Sequence, residues 1–386
     1  MQVRDPRKSD GTSALPPLAY FATAAKGTEG LLREELRDLT IRPLRGDRGG
    51  VHFGGNLIDA FRVCLHSRIA VRVLEFRAAA FAIDSDQLYE FVRSQSFDDV
   101  LDNRRTLSVS ATVRSSKLTH SQFVARRVKD AIVDRQRSLG CPRSDVDSKN
   151  PDVHFYLHLA KDRASIYVDL AGAPLHRRGY RLPNAQAPLK ETLASALIRL
   201  SRWDKVSPLI DPCCGSGTIA LEAAILAANW APGLARKCFG MERHVRMDAV
   251  LRNAFCELRE AAQGAIDTDK AEVVQGSDID ISSLTLARKA AQDLKLPVRF
   301  SRHDVLNLKP PGKSGTIVTN PPYGVRMEGG ENLARRIGSN FSNFAGFRIV
   351  VLSPDPAWLS ALSRAPNLEH TLYNGDIECR ALGWQL

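Results

Sequence analysis

The chain has 386 residues, 44% of them hydrophobic, and carries a formal charge of +11 with a pI near 9.5. That length holds two or three cored domains, and that apolar share excludes a mostly disordered chain. The basic surplus points to an anionic partner, with nucleic acid ahead of a membrane surface, and no run of about eighteen apolar residues offers a membrane span.

Residues 1–17 lack the apolar core of a signal peptide and read as a loose tail. The next stretch alternates short strands with amphipathic helices. "YFATA" (20–24) reads as a strand, and "TEGLLREELRDL" (28–39) as a helix with Leu31, Leu32, Leu36 and Leu39 on one face. A strand in "GGVHFGG" (49–55) and a helix in "LIDAFRVCLHSR" (57–68) follow. "TLSVSATVRS" (106–115) alternates as a strand, and 120–140 forms a helix with Val124, Val128, Ala131 and Ile132 on its apolar stripe. Residues 153–172 read as a β-hairpin turning at Lys161-Asp162.

The Arg-, Pro- and Asn-rich stretch "HRRGYRLPNAQAP" (176–188) separates this half from a second, and the linker is set at 173–188. From 189 to 386, strands and longer helices alternate, as in a parallel sheet clothed by helices on both faces. "LYNGDIEC" near the C-terminus carries an Asn-Gly turn signal, so an antiparallel hairpin is expected at the sheet edge. The seven cysteines are odd in number and show no C-x-x-C pair. They read as reduced, mostly buried thiols in a cytoplasmic protein, with no metal expected.

The chemistry-bearing residues sit at the strand ends of the second half. In "LIDPCCGSGTIALEAA" a buried strand ends at Asp211, Gly215 and Gly217 make a tight turn, and a helix opens at Thr218. A dinucleotide fingerprint needs a third glycine where Ala220 stands, and a P-loop needs a lysine that is absent. A buried carboxylate repels a pyrophosphate but suits an ammonium, such as the amino-acid tail of S-adenosylmethionine. Asp278 in "GSDID" ends the next strand, where a carboxylate accepts ribose hydroxyls, and Asp304 in "FSRHDV" ends the one after. Each acid alone reads as a helix N-cap or turn residue, and three on one sheet edge read as a site. In "TNPPYGVR", two prolines stiffen the turn after Asn320. The rim of acceptors they leave, beside Tyr323, fits a flat guest bearing an amino group.

Together "DPCCGSGT", "GSDID", "HDV" and "TNPPYGVR" resemble the class I S-adenosylmethionine-dependent methyltransferases that modify amino groups. With "LHRRGYR" and "APLKETLASAL" the chain from Tyr20 onward is similar to the THUMP-domain RNA guanine-N2 methyltransferases. The likeness is greatest to the N-terminal halves of bacterial bifunctional 23S rRNA enzymes, which continue into a second methyltransferase unit. The resemblance implies a Rossmann-like α/β sheet (189–386), preceded by a ferredoxin-like subdomain (18–60) and a THUMP domain (61–172).

For the cofactor, the resemblance implies that Asp211, Gly215, Ser216 and Gly217 hold the methionine part and Asp278 the ribose. Asp304 would face the adenine, with Ile279 and Val305 beside their acids. Lys190, Glu191 and Thr192 would close the pocket, and Cys213 lines it by packing. Asn320 and the Pro321 carbonyl would accept the amino hydrogens, Pro322 would stiffen the turn and Tyr323 would stack on the flipped base. Basic residues Arg114, Lys117, Arg126, Arg127 and Lys129, with Arg177 and Arg178 in the linker and Arg326 beyond the turn, are the expected RNA contacts. The expected enzyme is a monomer acting on rRNA. A tRNA guanine, an adenine N6, or an RNA-binding assembly factor with a vestigial pocket are the alternatives.

Overall fold

The computed structural model describes residues 20–180, 189–323 and 332–386. Seven strands of the N-terminal half join one sheet in the order β2-β3-β1-β4-β7-β6-β5. They are β1 (Tyr20–Thr23), β2 (Pro43–Asp47), β3 (Gly50–Phe53), β4 (Arg72–Phe81), β5 (Leu107–Arg114), β6 (Val153–Ala160) and β7 (Arg163–Asp169). Period-two alternation sorts their side chains, so that β6 buries Val153, Phe155, Leu157 and Leu159 and turns His154, Tyr156 and His158 the other way. Helices α1 (Glu29–Asp38), α2 (Leu57–His66), α3 (Ser85–Arg93) and α4 (Ser121–Ser138) share one core with the buried face.

The β6–β7 hairpin turns at Lys161-Asp162 as expected, and both residues have positive φ, as a type I′ turn requires. Three elements exceed the sequence reading. Edge strand β2 is charged and half exposed, α3 is short, and β4 breaks its alternation at a bulge between Phe76 and Ala78.

The second half forms another seven-stranded sheet, ordered β10-β9-β8-β11-β12-β14-β13. Its strands are β8 (Leu209–Asp211), β9 (Val274–Asp278), β10 (Arg299–Arg302), β11 (Gly315–Thr319), β12 (Phe347–Ser353), β13 (Leu368–Asn374) and β14 (Ile377–Gln385). Strands β8 to β12 are parallel, and β13–β14 is the antiparallel edge hairpin. Asn374 pairs with Ile377, so Gly375-Asp376 forms the two-residue loop, one place later than the Asn-Gly signal suggests. Gly375 has φ +66, which suits the first central position of a type II′ turn.

Helices α5 (Glu191–Leu200), α6 (Thr218–Ala227), α7 (Ala249–Gly264), α8 (Ile281–Asp293) and α9 (Leu333–Phe341) complete the half. From β8 the chain steps outward to β9 and β10, then returns to β11 on the other side of β8. That reversal opens a crevice at the carboxyl ends of β8 and β11.

The insertion between α6 and β9 joins the two halves. Phe255 of α7 stacks on Phe61 of α2 at 3.9 Å between centroids, and Phe239 meets the edge of Phe61 at 5.4 Å. Arg246 forks onto Glu75 with two 2.8 Å contacts, and Arg236 donates to the carbonyls of Ala171, Ala173 and Pro174. A Cβ on Gly240 would lie 2.9 Å from the Gly172 nitrogen, so this backbone approach requires glycine. The arginines that make this insertion basic are therefore engaged within the molecule. The expected linker is also packed up to the limit of description, with Leu175, Arg178 and Tyr180 buried.

Removing the Phe255 ring leaves a cavity in this seam, so Phe255→Ala should lower stability by about 3 kcal/mol in chemical denaturation. A loss below about 0.5 kcal/mol, the usual range for surface changes, would show that the insertion does not clamp the halves.

Candidate active site

The crevice holds a cavity of about 690 Å³. Its floor is the turn from β8 into α6, where Gly217 at φ +85 starts the helix. A side chain there would press into Ala287 and Phe300, so the turn sits hard against α8 and β10. Asp211, Cys213, Gly215, Ser216, Asp278, Ile279, Val305 and Asn320 all line the cavity.

Asp211 is 1% exposed, and its Oδ1 accepts from the Thr319 hydroxyl at 3.0 Å. Burial pushes its carboxyl up to about 7, against the opposing hydrogen bonds from Thr319 and the Cys213 amide. Asp278 Oδ2 accepts from the Gly215 amide at 2.8 Å, and its Oδ1 from the Asp280 amide at 3.0 Å. The second acid thus fixes the glycine turn as well as facing the cavity. Burial raises the Cys213 thiol well above its ordinary range, so it sits in the wall as an uncharged group.

Other expected residues lie elsewhere. Asp304 is exposed, caps the short helix 305–307 through the Leu306 amide at 2.9 Å, and does not line the cavity; its neighbours His303 and Val305 do. Lys190 is the exposed N-cap of α5, and Glu191 and Thr192 are buried in that helix; Leu189 is what reaches the cavity from this side. Gly217 shapes the turn from behind the lining. The sequence reading missed Asp280, Ser282 and Ser283 at the start of α8. Asp280 caps that helix and is held at about 2 by hydrogen bonds from Ser283 and Ser282. The Asp-x-Ser-Ser pattern marks such a cap, and its helix N-terminus faces the cavity beside that of α6.

At the opposite lip, β11 delivers Asn320 into the cavity beside Pro322, while Pro321 is buried. The Tyr323 hydroxyl donates to Asn320 Oδ1, and its half-buried ring packs on the second-half core rather than lining the cavity. Burial, with the Cys379 thiol near it, holds this phenol protonated. Gly324 and Arg326 lie outside the described residues.

The expected RNA residues differ in how far they are exposed. Arg178 is corrected: it is 2% exposed, donates to the carbonyls of Leu175 and Arg68, and pairs with Glu222 at 3.6 Å. Arg127 lies over Tyr89 at 4.1 Å and bonds Asp86, and Lys129 pairs with Asp130. Arg126 is exposed on α4, Arg177 is exposed before Tyr180, and Arg114 and Lys117 are exposed at the end of β5 and just beyond. No helix among the described residues is long and apolar enough to cross a membrane.

Three family models match the chain: the RlmL ferredoxin-like domain over 19–74, the THUMP domain over 82–169, and the RMKL-like methyltransferase domain over 178–382. Ribosomal RNA large subunit methyltransferase K/L of Syntrophotalea carbinolica is 37% identical over 96% of this chain and 54% of its own length. The chain thus spans about half the length of that relative. A Synechocystis protein provisionally named RNA methyltransferase slr0064 is 34% identical, over 95% of this chain and 96% of its own. The crystal structure of SMU.472 complexed with SAH superposes with a TM-score of 0.85 at 27% identity, over 95% of this chain and 98% of that one. With ferredoxin-like and THUMP domains before this cavity, the chain belongs to the RMKL-like methyltransferase family, whose members depend on S-adenosylmethionine.

Proposed function

We propose that this protein methylates the exocyclic N2 of a guanine in 23S rRNA. The observation that carries the reading is Asn320, set by β11 on the lip of the cavity that Asp211 and Asp278 line. The similarity to rRNA large subunit methyltransferases K/L supports rRNA as the substrate. The donor set fits the cofactor: a buried carboxylate raised to about 7 favours an ammonium partner, and two helix starts border the same cavity. S-adenosylmethionine supplies an electrophilic methyl group on a positively charged sulfur. Asp211 would hold the amino group of its amino-acid tail and Asp278 the ribose hydroxyls, with Ile279 and Val305 lining the cavity for the adenine.

The protein's part is positioning. Asn320 Oδ1 and the Pro321 carbonyl accept the two amino hydrogens of the guanine, which favours a pyramidal nitrogen with its lone pair free. No strong base is needed, because the surplus amino proton becomes acidic only as the nitrogen is alkylated and then passes to water. Tyr323 gives up its hydrogen bond to Asn320 and stacks on the unpaired base. The prolines hold this geometry, because neither has an amide donor to divert into a ladder.

Asn320→Ala should lower kcat by about a hundredfold or more while S-adenosylmethionine binding by calorimetry stays intact. Turnover near the wild-type rate would remove the amine-acceptor role. Tyr323→Phe should keep near-normal turnover, whereas Tyr323→Ala should raise the KM for RNA about tenfold to a hundredfold; equal losses in both would assign the effect to the hydroxyl. A neutral Asp211 must lose its proton before it can pair with an ammonium. Cofactor affinity should therefore fall as pH drops below 7, by up to about tenfold per unit, and Asp211→Asn should flatten the profile. Burial of this carboxylate also destabilises the unliganded fold as pH rises above about 4. Mass spectrometry of treated rRNA should find N2-methylguanine; N6-methyladenine in its place would refute the base assignment.

A further inference from the structure

The N-terminal sheet has a second face, opposite α1 to α4, that the catalytic reading does not use. Residues directly opposite in a ladder share a face. By register, Phe76 lies against Tyr167, Tyr167 against Tyr156, and His158 against Thr112 and Ser165, so four rings stand on this one side. None of the four belongs to a hydrophobic core, and Phe76 is 39% exposed. Phe76 meets Tyr167 edge-on at 5.6 Å, and the Tyr156 hydroxyl is held by that of Thr112 at 2.6 Å, so the rings are fixed in place. Exposed Arg114 and Arg163 end the neighbouring strands on the same side, at register positions opposite Ala160.

Aromatic planes bordered by arginines match the needs of unpaired nucleotides, whose bases stack and whose phosphates seek cations.

We propose that this face binds a single-stranded segment of RNA, with Phe76, Tyr156, His158 and Tyr167 stacking its bases and Arg114 and Arg163 meeting its phosphates. The inference deepens the RNA-substrate reading and rests on it. A segment held here is anchored on the N-terminal half, while the target guanine is presented to the cavity of the other.

The test uses the whole chain and a fluorescent heteropolymeric RNA of about a dozen nucleotides. The double variant Phe76→Ala with Arg163→Glu changes two exposed side chains and should weaken single-strand binding about tenfold or more, leaving S-adenosylmethionine affinity unchanged. RNA bearing 4-thiouridine should crosslink to the wild-type peptide spanning residues 154–167. Unchanged affinity, crosslinks confined to other peptides, or capture of a polyglutamate peptide in place of RNA would each overturn the proposal. If the wild type methylated no RNA while oligonucleotide binding still depended on these residues, the catalytic reading would fail and the binding face would stand.

Discussion

One hydrogen bond, from the Thr319 hydroxyl to Asp211 Oδ1, ties together the two strand ends on which the site depends. Asp211 closes β8 and Thr319 closes β11, the strands on either side of the sheet's reversal point. Because both residues are buried, neither can exchange this bond for water without loss. The bond therefore fixes Asp211 relative to Asn320, the residue after Thr319. A displacement of an ångström between two reacting groups is enough to slow a reaction about a hundredfold, so a rigid crossing between adjacent strands is a sound place for both.

Further contacts join the two separately cored halves. The insertion after α6 belongs by sequence to the catalytic half but places Phe239, Met241, Met247 and Phe255 in the core of the N-terminal half. Arg236 and Arg246 complete the seam with hydrogen bonds to carbonyls and carboxylates. The C-terminal hairpin adds a second contact, where His370 meets the Gly27 carbonyl at 2.7 Å and Lys26 lies 3.6 Å from the Tyr373 ring. The halves are thus joined at two places.

Positive charge is consequently divided between structure and surface. Arg68, Arg178, Arg236 and Arg246 satisfy buried carbonyls or carboxylates along the seam. Other basic side chains, such as Arg114, Arg126 and Arg177, stay exposed. A net charge of +11 cannot distinguish the two populations, since it counts a buried guanidinium and an exposed one alike.

Local chemistry in the chain was enough to establish the alternation of strands and helices in the catalytic half, the glycine turn, the strand-end acids and the stiffened Asn320 turn. Each depends on residues close in sequence: a strand end, a φ-restricted proline, a cap. Tertiary structure decided what those residues face. It turned Asp304 into a helix cap outside the cavity, brought Leu189, Asp280 and Ser283 into its lining, and buried Arg178. It also set Tyr323 against Asn320. Burial arises from packing between segments more than a hundred residues apart, and no local pattern encodes which side of a helix start or a strand end will meet that packing.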